Sequence, residues 1–470
     1  MGHCDKFGVP LTAGGGAALA HYDDALDKLL TLRDDPGAAA DEAIAQDPRL
    51  VMAHVLKGVA HALPADRALL PTARAALAAG RGVASSAATR RGGTERGTGP
   101  RSATSREPAA ELTARAAAHA TATRTRGTRG KVTKRELAHL DALGALVDGR
   151  MHEACDRWEQ ILLDRPDDAL AMFAAHQTDH LLGRSTEMRD RVARHLTSID
   201  HGSELEAHYL AMHAFGLQES GEFGPAEEAG RRAVAARPRN GWGVHAVTHV
   251  LEMTDRPDEG ICWLQGHIDD WARNSSYADH HWCHLARFRM ERDEWAEVLR
   301  LYDHHMRGQR GNAVAGLVDA SSLLWRLELR GVDVGHRWLE LVAAWEPHIG
   351  DGRSVFDDLH AMMAFVSADR DDHSRHLLTA MHKAAAGSTP EAAAARDVGL
   401  PAALALRAFK RGHYDDAIDL LAPVQASNAC TGRSRAQREL LSQTYLTAAL
   451  RCGQNALARV LPNERLAVRR

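Results

Sequence analysis

Aromatic residues are scarce in this sequence. Phe, Trp and Tyr together make 5% of 470 residues, a poor supply of the side chains that favour β-sheet. Cysteine is scarcer still. Cys4, Cys155, Cys262, Cys283, Cys430 and Cys452 are scattered and no CxxC pair occurs, which excludes a disulfide framework and predicts reduced thiols. No apolar run approaches the roughly 18–20 residues of a membrane span. The start, MGHCDKFGVPLTAGGG, lacks the basic-then-apolar order of a signal peptide. The expectation is a soluble, cytoplasmic protein. A large excess of one charge is also missing: the net charge is −4 and the pI about 6.7, which argues against whole-chain binding to nucleic acid or a membrane surface. GxSxG, GxxxxGK[ST] and a strand-borne GxGxxG are all absent, so no common hydrolase or nucleotide motif is available. The Gly-rich TAGGGAAL (12–19) follows no strand and precedes no lysine. It reads as a turn before a helix.

What is present is helical and repetitive. Ala, Leu, Arg, Asp and Glu dominate, a mixture that suits helices packed through small residues. At 470 residues the chain exceeds one compact core. One phrase recurs: a turn, an aromatic, an amphipathic helix and a proline stop. It appears as DGRMHEACDRWEQILLDRPDDALA (148–171), SGEFGPAEEAGRRAVAARPRN (220–240), TDRPDEGICWL (254–264), ERDEWAEVLRLYD (291–303) and KRGHYDDAIDLLAP (410–423). Glu222-Phe223 to Arg256-Pro257 is 34 residues, and Arg256-Pro257 to Glu294-Trp295 is 38. A period near 34 with a helix on each side of a Gly/Asp turn is the tetratricopeptide signature. Each helix pair has an apolar stripe that only stacked neighbours can bury, and small residues such as Ala154 and Ala226 let the helices approach. The fold class expected is all-α, a TPR-like α-α superhelix of about ten helix pairs, curved, with a concave inner face.

One stretch breaks the pattern. Residues 81–134 hold twelve Arg/Lys against three acids and almost no large apolar side chain. Such composition cannot bury enough surface to offset ordering, so a basic linker is expected there. It divides N-terminal repeats (1–80) from the main array (135–470). A nucleic-acid arm is disfavoured because aromatics are not interleaved with the basic residues. Arg-, Thr- and Gly-rich text of this kind also resembles a GC-rich gene read in the wrong frame.

HAVTHVLEMTDRPDEGICWL (245–264) followed by DHHWCHLARFRMERDEWAEVLRLYD (279–303) resembles the tetratricopeptide repeat protein 38 family. YLAMHAFGLQESGEFGPAEEAGRRAV (209–234), DALAMFAAHQTDHLLG (168–183), FDDLHAMMAF (356–365) and GRSRAQRELLSQTYLTAALRCG (432–453) agree with it. Members usually read His-Asn-Trp-Trp-His where this chain has His280-His281-Trp282-Cys283-His284. The resemblance covers most of the chain outside 81–134. It implies an all-helical repeat protein and no particular reaction.

His245 and His249 lie one helical turn apart on one face, and Glu252 can join that face. His281 and His284 fall on the first helix of the next repeat, with Trp242 and Trp282 nearby. His176, His180, His208, His213 and His360 are placed to approach the same groove from neighbouring repeats. Three readings follow. The imidazoles, led by His245 and His249, bind zinc or another transition metal, since HxxxH on a helix gives a suitable bite, and the same cluster serves a metal- or His-dependent enzyme of unspecified reaction. They bind a peptide, a partner protein or a small polar ligand in a His/Trp-lined concave groove, with Arg287 supplying charge. Or each pairs with a carboxylate or carbonyl between stacked helices and the tryptophans fill the core. His245-Ala-Val-Thr-His249 lacks the glutamate of HExxH, so a metalloprotease is not indicated. No motif calls for a cofactor, and a transition metal is the one the spacing admits.

Overall fold

Local signals start and stop the helices. Asp168, Ser203 and Asn240 accept from Ala171, Glu206 and Gly243 amides at 3.0, 3.1 and 3.0 Å, which satisfies donors that a helix start leaves free. Thr133 and Glu136 form a capping box. The turn inside a pair needs a left-handed residue. Gly149 and Gly221 supply it at φ 80° and 86°, and Asp255 takes the same region at φ 57° where no glycine is available.

The computed structural model describes residues 3–92 without 34 and 65, 132–350 without 309 and 310, and 354–460. A two-residue β-ribbon, His3–Cys4 with Pro10–Leu11, precedes the helices. The first four helices are α1 (Gly16–Leu30), α2 (Pro36–Gln46), α3 (Val51–Ala62) and α4 (Leu70–Gly92). The main array begins with α5 (Lys134–Val147), α6 (Met151–Asp164), α7 (Ala169–Leu182), α8 (Ser185–Leu196), α9 (Glu204–Glu219) and α10 (Phe223–Ala236). Next come α11 (Gly241–Met253), α12 (Pro257–Gly266), the short α13 (Ile268–Trp271), α14 (Ala278–Met290) and α15 (Trp295–Leu301). The rest are α16 (Val314–Leu329), α17 (Arg337–Trp345), α18 (Val355–Ser367), α19 (Asp371–Ala385), the short α20 (Pro390–Ala394), α21 (Leu400–Lys410), α22 (Tyr414–Leu421) and α23 (Arg435–Arg451). These make ten antiparallel pairs and a closing helix. The chain is an all-α, TPR-like superhelix, as the 34-residue period predicts.

The boundary that composition placed at residue 81 falls inside α4, and Lys134 already belongs to α5. The middle of that basic stretch, 93–131, lies outside the described residues. No described helix is long and apolar enough to cross a membrane. The six cysteines form no disulfide.

First helices stack on first helices: α9 on α11, α11 on α14, α14 on α16, α16 on α18 and α18 on α21. They form the inner wall and are buried on nearly every side. In α11 every residue except Glu252 is buried. The second helices show one apolar stripe each. In α10 that stripe is Ala226, Ala229, Gly230, Ala233 and Val234, and Ala226 has no exposed surface. Ala226→Leu should overpack this contact and destabilise the protein by about 1–3 kcal/mol. An unchanged urea midpoint would contradict the packing described.

Two features close the superhelix. The loop after α13 docks on the end of α1, where the Ser276 amide donates to the Leu32 carbonyl at 3.0 Å and Arg33 pairs with Ser275. The C-terminal segment then crosses the inner wall. α23 packs on α16 and α11 as well as on its neighbours α21 and α22. Ahead of it, the Arg433 amide donates to the His180 carbonyl at 2.9 Å and the Arg435 amide to Glu219 at 2.8 Å. Gly432 has φ 79°, and a Cβ there would collide with the Leu181 carbonyl oxygen. The inner face is therefore filled by the chain itself.

Candidate metal centre

α11 and α14 each carry two histidines at i, i+4, and the two pairs face one another. His245 and His249 come from α11, His280 and His284 from α14. Nε2 of His280 lies 3.1 Å from Nε2 of His245 and 3.1 Å from Nε2 of His284. One ring nitrogen from each of the four lies within 4.8 Å of the other three. Nitrogens around a tetrahedral zinc, with bonds of about 2.0–2.1 Å, sit roughly 3.3–3.4 Å apart. The observed spacing is close to that bite.

Carboxylates fix two of the rings. His280 donates from Nδ1 to Asp319 of α16 at 2.8 Å, and His284 donates from Nδ1 to Glu252 at 2.8 Å. Arg287 holds the other oxygen of Glu252 in an ion pair. A carboxylate only accepts, so in the neutral form both rings keep their proton on Nδ1 and turn an Nε2 lone pair inward. Those two lone pairs face each other at 3.1 Å. His245 can donate to His280 from Nε2, which leaves its own Nδ1 without a partner. Neither ring nitrogen of His249 has a hydrogen-bond partner. A buried polar network left in this state is costly.

A proton on His245, His249 or His284 is a poor remedy. His245, His249 and His284 are 1%, 0% and 1% exposed. Burial, reinforced by the neighbouring imidazoles and, at His249 and His284, by Arg287, pushes all three rings well below the ordinary histidine pKa. A divalent cation among the four nitrogens would remove the lone-pair conflict and use the unpartnered ones. Asp319 and Glu252 would then serve as the outer carboxylates that orient metal-bound imidazoles.

Aromatic rings wall the cluster. Phe215 stacks on His245 at 5.1 Å and meets His249 edge-on at 5.3 Å. Trp242, 5.2 Å from His245, is part of this wall and is buried.

Several sequence expectations are corrected here. His281 stands outside the cluster: its Nδ1 donates to the Tyr277 carbonyl at 3.0 Å and its ring stacks on Trp271 at 5.2 Å. Its place is taken by His280: the His281 ring also lies against α11, 5.8 Å from that of His245, but its nitrogens turn to backbone groups and not into the cluster. Trp282 stacks on His305 at 3.8 Å, away from the cluster. Nor do the candidates line an open groove. Trp242, His245, His249, His281 and His284 are buried in the wall, whereas Glu252 and Arg287 border a cavity beside α23. His176 and His360 each donate from one ring nitrogen to the Met212 and Phe356 carbonyls, at 3.0 and 2.8 Å, and leave the other nitrogen unpartnered. His180 and His208 meet Phe215 and Phe7, and none of these, nor His213, joins the four. A second group, Asp27, Glu204 and His208, is already neutralised by Lys6 and Arg237.

Two residues escaped the sequence reading. His280 had a usable signal, since His280-xxx-His284 repeats the spacing of His245-xxx-His249. Asp319 is the one acid in the apolar run VAGLVDASSLLW (314–325), which marks it for a buried partner.

No protein-family model matches the chain. Among solved structures it is similar to yeast Tom70, with a TM-score of 0.40 at 11% identity, over 95% of this chain and 90% of that one. The fold described here rests on the pairing and stacking of the helices themselves.

Proposed function

We propose that the protein is a metal-binding helical-repeat protein, with one divalent transition metal held by His245, His249, His280 and His284. The observation that carries this is the unresolved hydrogen bonding of the cluster: two carboxylate-anchored imidazoles turn lone pairs at each other between α11 and α14. All-imidazole donors suit zinc, copper, nickel or iron better than calcium or magnesium. The test is metal analysis of the full chain after dialysis, beside a His245→Ala/His249→Ala variant. About one equivalent of metal is expected in the wild type and none in the variant. Equal metal content in the two, or none in either after incubation with zinc, would overturn the proposal.

A second reading, an enzyme, is favoured by one detail. Three Nε2 atoms converge, whereas His249 makes no hydrogen bond at all. Three ligands with an open fourth position is the catalytic pattern, and four ligands is the structural one. His249→Ala separates them. Retained metal points to an open, reactive centre, and lost metal to a closed one.

The proposed family is that of tetratricopeptide repeat protein 38. His280 and His284 occupy the two histidine positions of its His-Asn-Trp-Trp-His pattern. The departures at His281 and Cys283 concern side chains that turn to the Tyr277 and Asp319 carbonyls. We further propose that the array serves as a scaffold for a protein partner. With the inner wall filled, that partner engages the outer helices or displaces α23. A small ligand has separate accommodation.

A further inference from the structure

A cavity of about 440 Å³ lies between the C-terminal ends of α11, α14 and α16 and the side of α23. Its charges are unevenly settled. At the rim, Arg330 pairs with Glu291, and Arg256 pairs with Glu227 and Glu259. At the floor, Arg287 and Arg326 are only 7% and 2% exposed. Arg287 has Glu252, which also holds His284. The hydrogen bonds of Arg326 go to neutral oxygens: its Nη1 donates to Ser322, and its Nη2 donates to the Ala436 carbonyl at 3.1 Å. The Nη2 of Arg287 reaches that same carbonyl at 3.3 Å. Two guanidiniums thus share one neutral acceptor, and Nε of Arg326 has no partner. Burial and the neighbouring Arg287 push the Arg326 guanidinium down to about 9, against the smaller opposing effects of Glu252 and Glu439. A buried cation needs a counter-charge: Arg287 has Glu252 in contact, whereas Glu252 and Glu439, both bordering the cavity, act on Arg326 through space. Above them Phe288, Leu329 and Leu446 form an apolar part of a wall that also carries Glu439, Gln443 and Thr447.

We infer that this cavity binds a small organic oxyanion, with a carboxylate or phosphate end on Arg326 and Arg287 and an apolar body against Phe288, Leu329 and Leu446. Guanidinium groups suit both kinds of oxyanion because they donate in a planar fork. The cavity walls and the two arginines carry this inference, and it holds whether or not the histidine cluster takes a metal. Glu252 nevertheless touches both sites, so a ligand here lies one side chain from His284.

The test uses the full chain and three probes of one length: hexanoate, hexyl phosphate and the neutral hexanamide, each titrated by calorimetry. Saturable binding of hexanoate or hexyl phosphate is expected, with hexanamide weaker by roughly tenfold or more. The preferred probe identifies the oxyanion. Arg326→Met keeps the volume and removes the charge, and should abolish the preference for the anion. Leu446→Trp, at a half-buried wall, should block the cavity without touching the arginines. Equal binding of all three probes, or an anion preference that survives both variants, would overturn the inference, as would no binding of either anion to wild type. Metal is assayed on the same samples, so failure of this site and failure of the histidine site are read separately.

Discussion

Lowering the pH from 7 to 5 should strip this protein of much of its stability. His176, His208 and His360 are buried, and burial pushes them down to about 3, 4 and 4. In the unfolded chain each returns to about 6.5. A base whose folded pKa is depressed stabilises the fold above its unfolded pKa and loses that contribution as pH falls through it. Between pH 7 and 5 each of the three forfeits about 2 kcal/mol. Asp5 and Asp279 act in the opposite sense. Partial burial raises Asp5 to about 6, so it takes up a proton in the folded state and returns at most about 1.4 kcal/mol; Asp279 is raised likewise but is exposed, so solvent screening leaves it returning less. The net loss from these five groups is about 3–4 kcal/mol, before His281 and the four clustered histidines are counted, a large part of a typical domain's stability. Urea denaturation at the two pH values measures it directly. A midpoint that stays level or rises at pH 5 would contradict the burial of these imidazoles.

Zinc should stabilise the fold by a comparable amount. A ligand bound only by the native state adds RT ln(1 + [L]/Kd), about 4 kcal/mol when free zinc exceeds Kd a thousandfold. His280→Ala should abolish this increment, because His280 is the nitrogen that both His245 and His284 approach. Asp319→Asn keeps all four ligands and loses the carboxylate behind His280, which should weaken metal binding about 10- to 100-fold. His281→Ala should leave zinc stabilisation intact, since His281 turns to Tyr277. Thermal unfolding of the four proteins with and without zinc checks the series. Equal zinc shifts in wild type and His280→Ala would refute the assignment.

The fold was readable because its determinants are local. The turn residues Gly149, Gly221 and Asp255, the proline stops and the alanine stripe of α10 all act within one pair, and stacking repeats the same solution. Half of the cluster was readable for the same reason, since an i, i+4 pair on α11 shares a face wherever the helix sits. The phase of α14 was not. Which of His280 and His281 turns its nitrogens into the cluster depends on how Trp271 and Tyr277 seat the start of that helix, which is a tertiary matter. The closed inner wall was also invisible. It depends on contacts between residues far apart in the chain, such as Arg433 with His180 and Arg326 with Ala436, and no repeat period records them. The basic segment shows the limit of composition: α4 continues past residue 81, where Val83 and Ala84 still pack against the core.

X-ray absorption at the zinc edge, on the full chain loaded with one equivalent, tests the central claim most directly. The account predicts a first shell of nitrogen alone at about 2.0–2.1 Å, with the outer scattering of imidazole rings and no sulfur. A sulfur-containing shell, or the six-oxygen shell of solvated zinc, would contradict it.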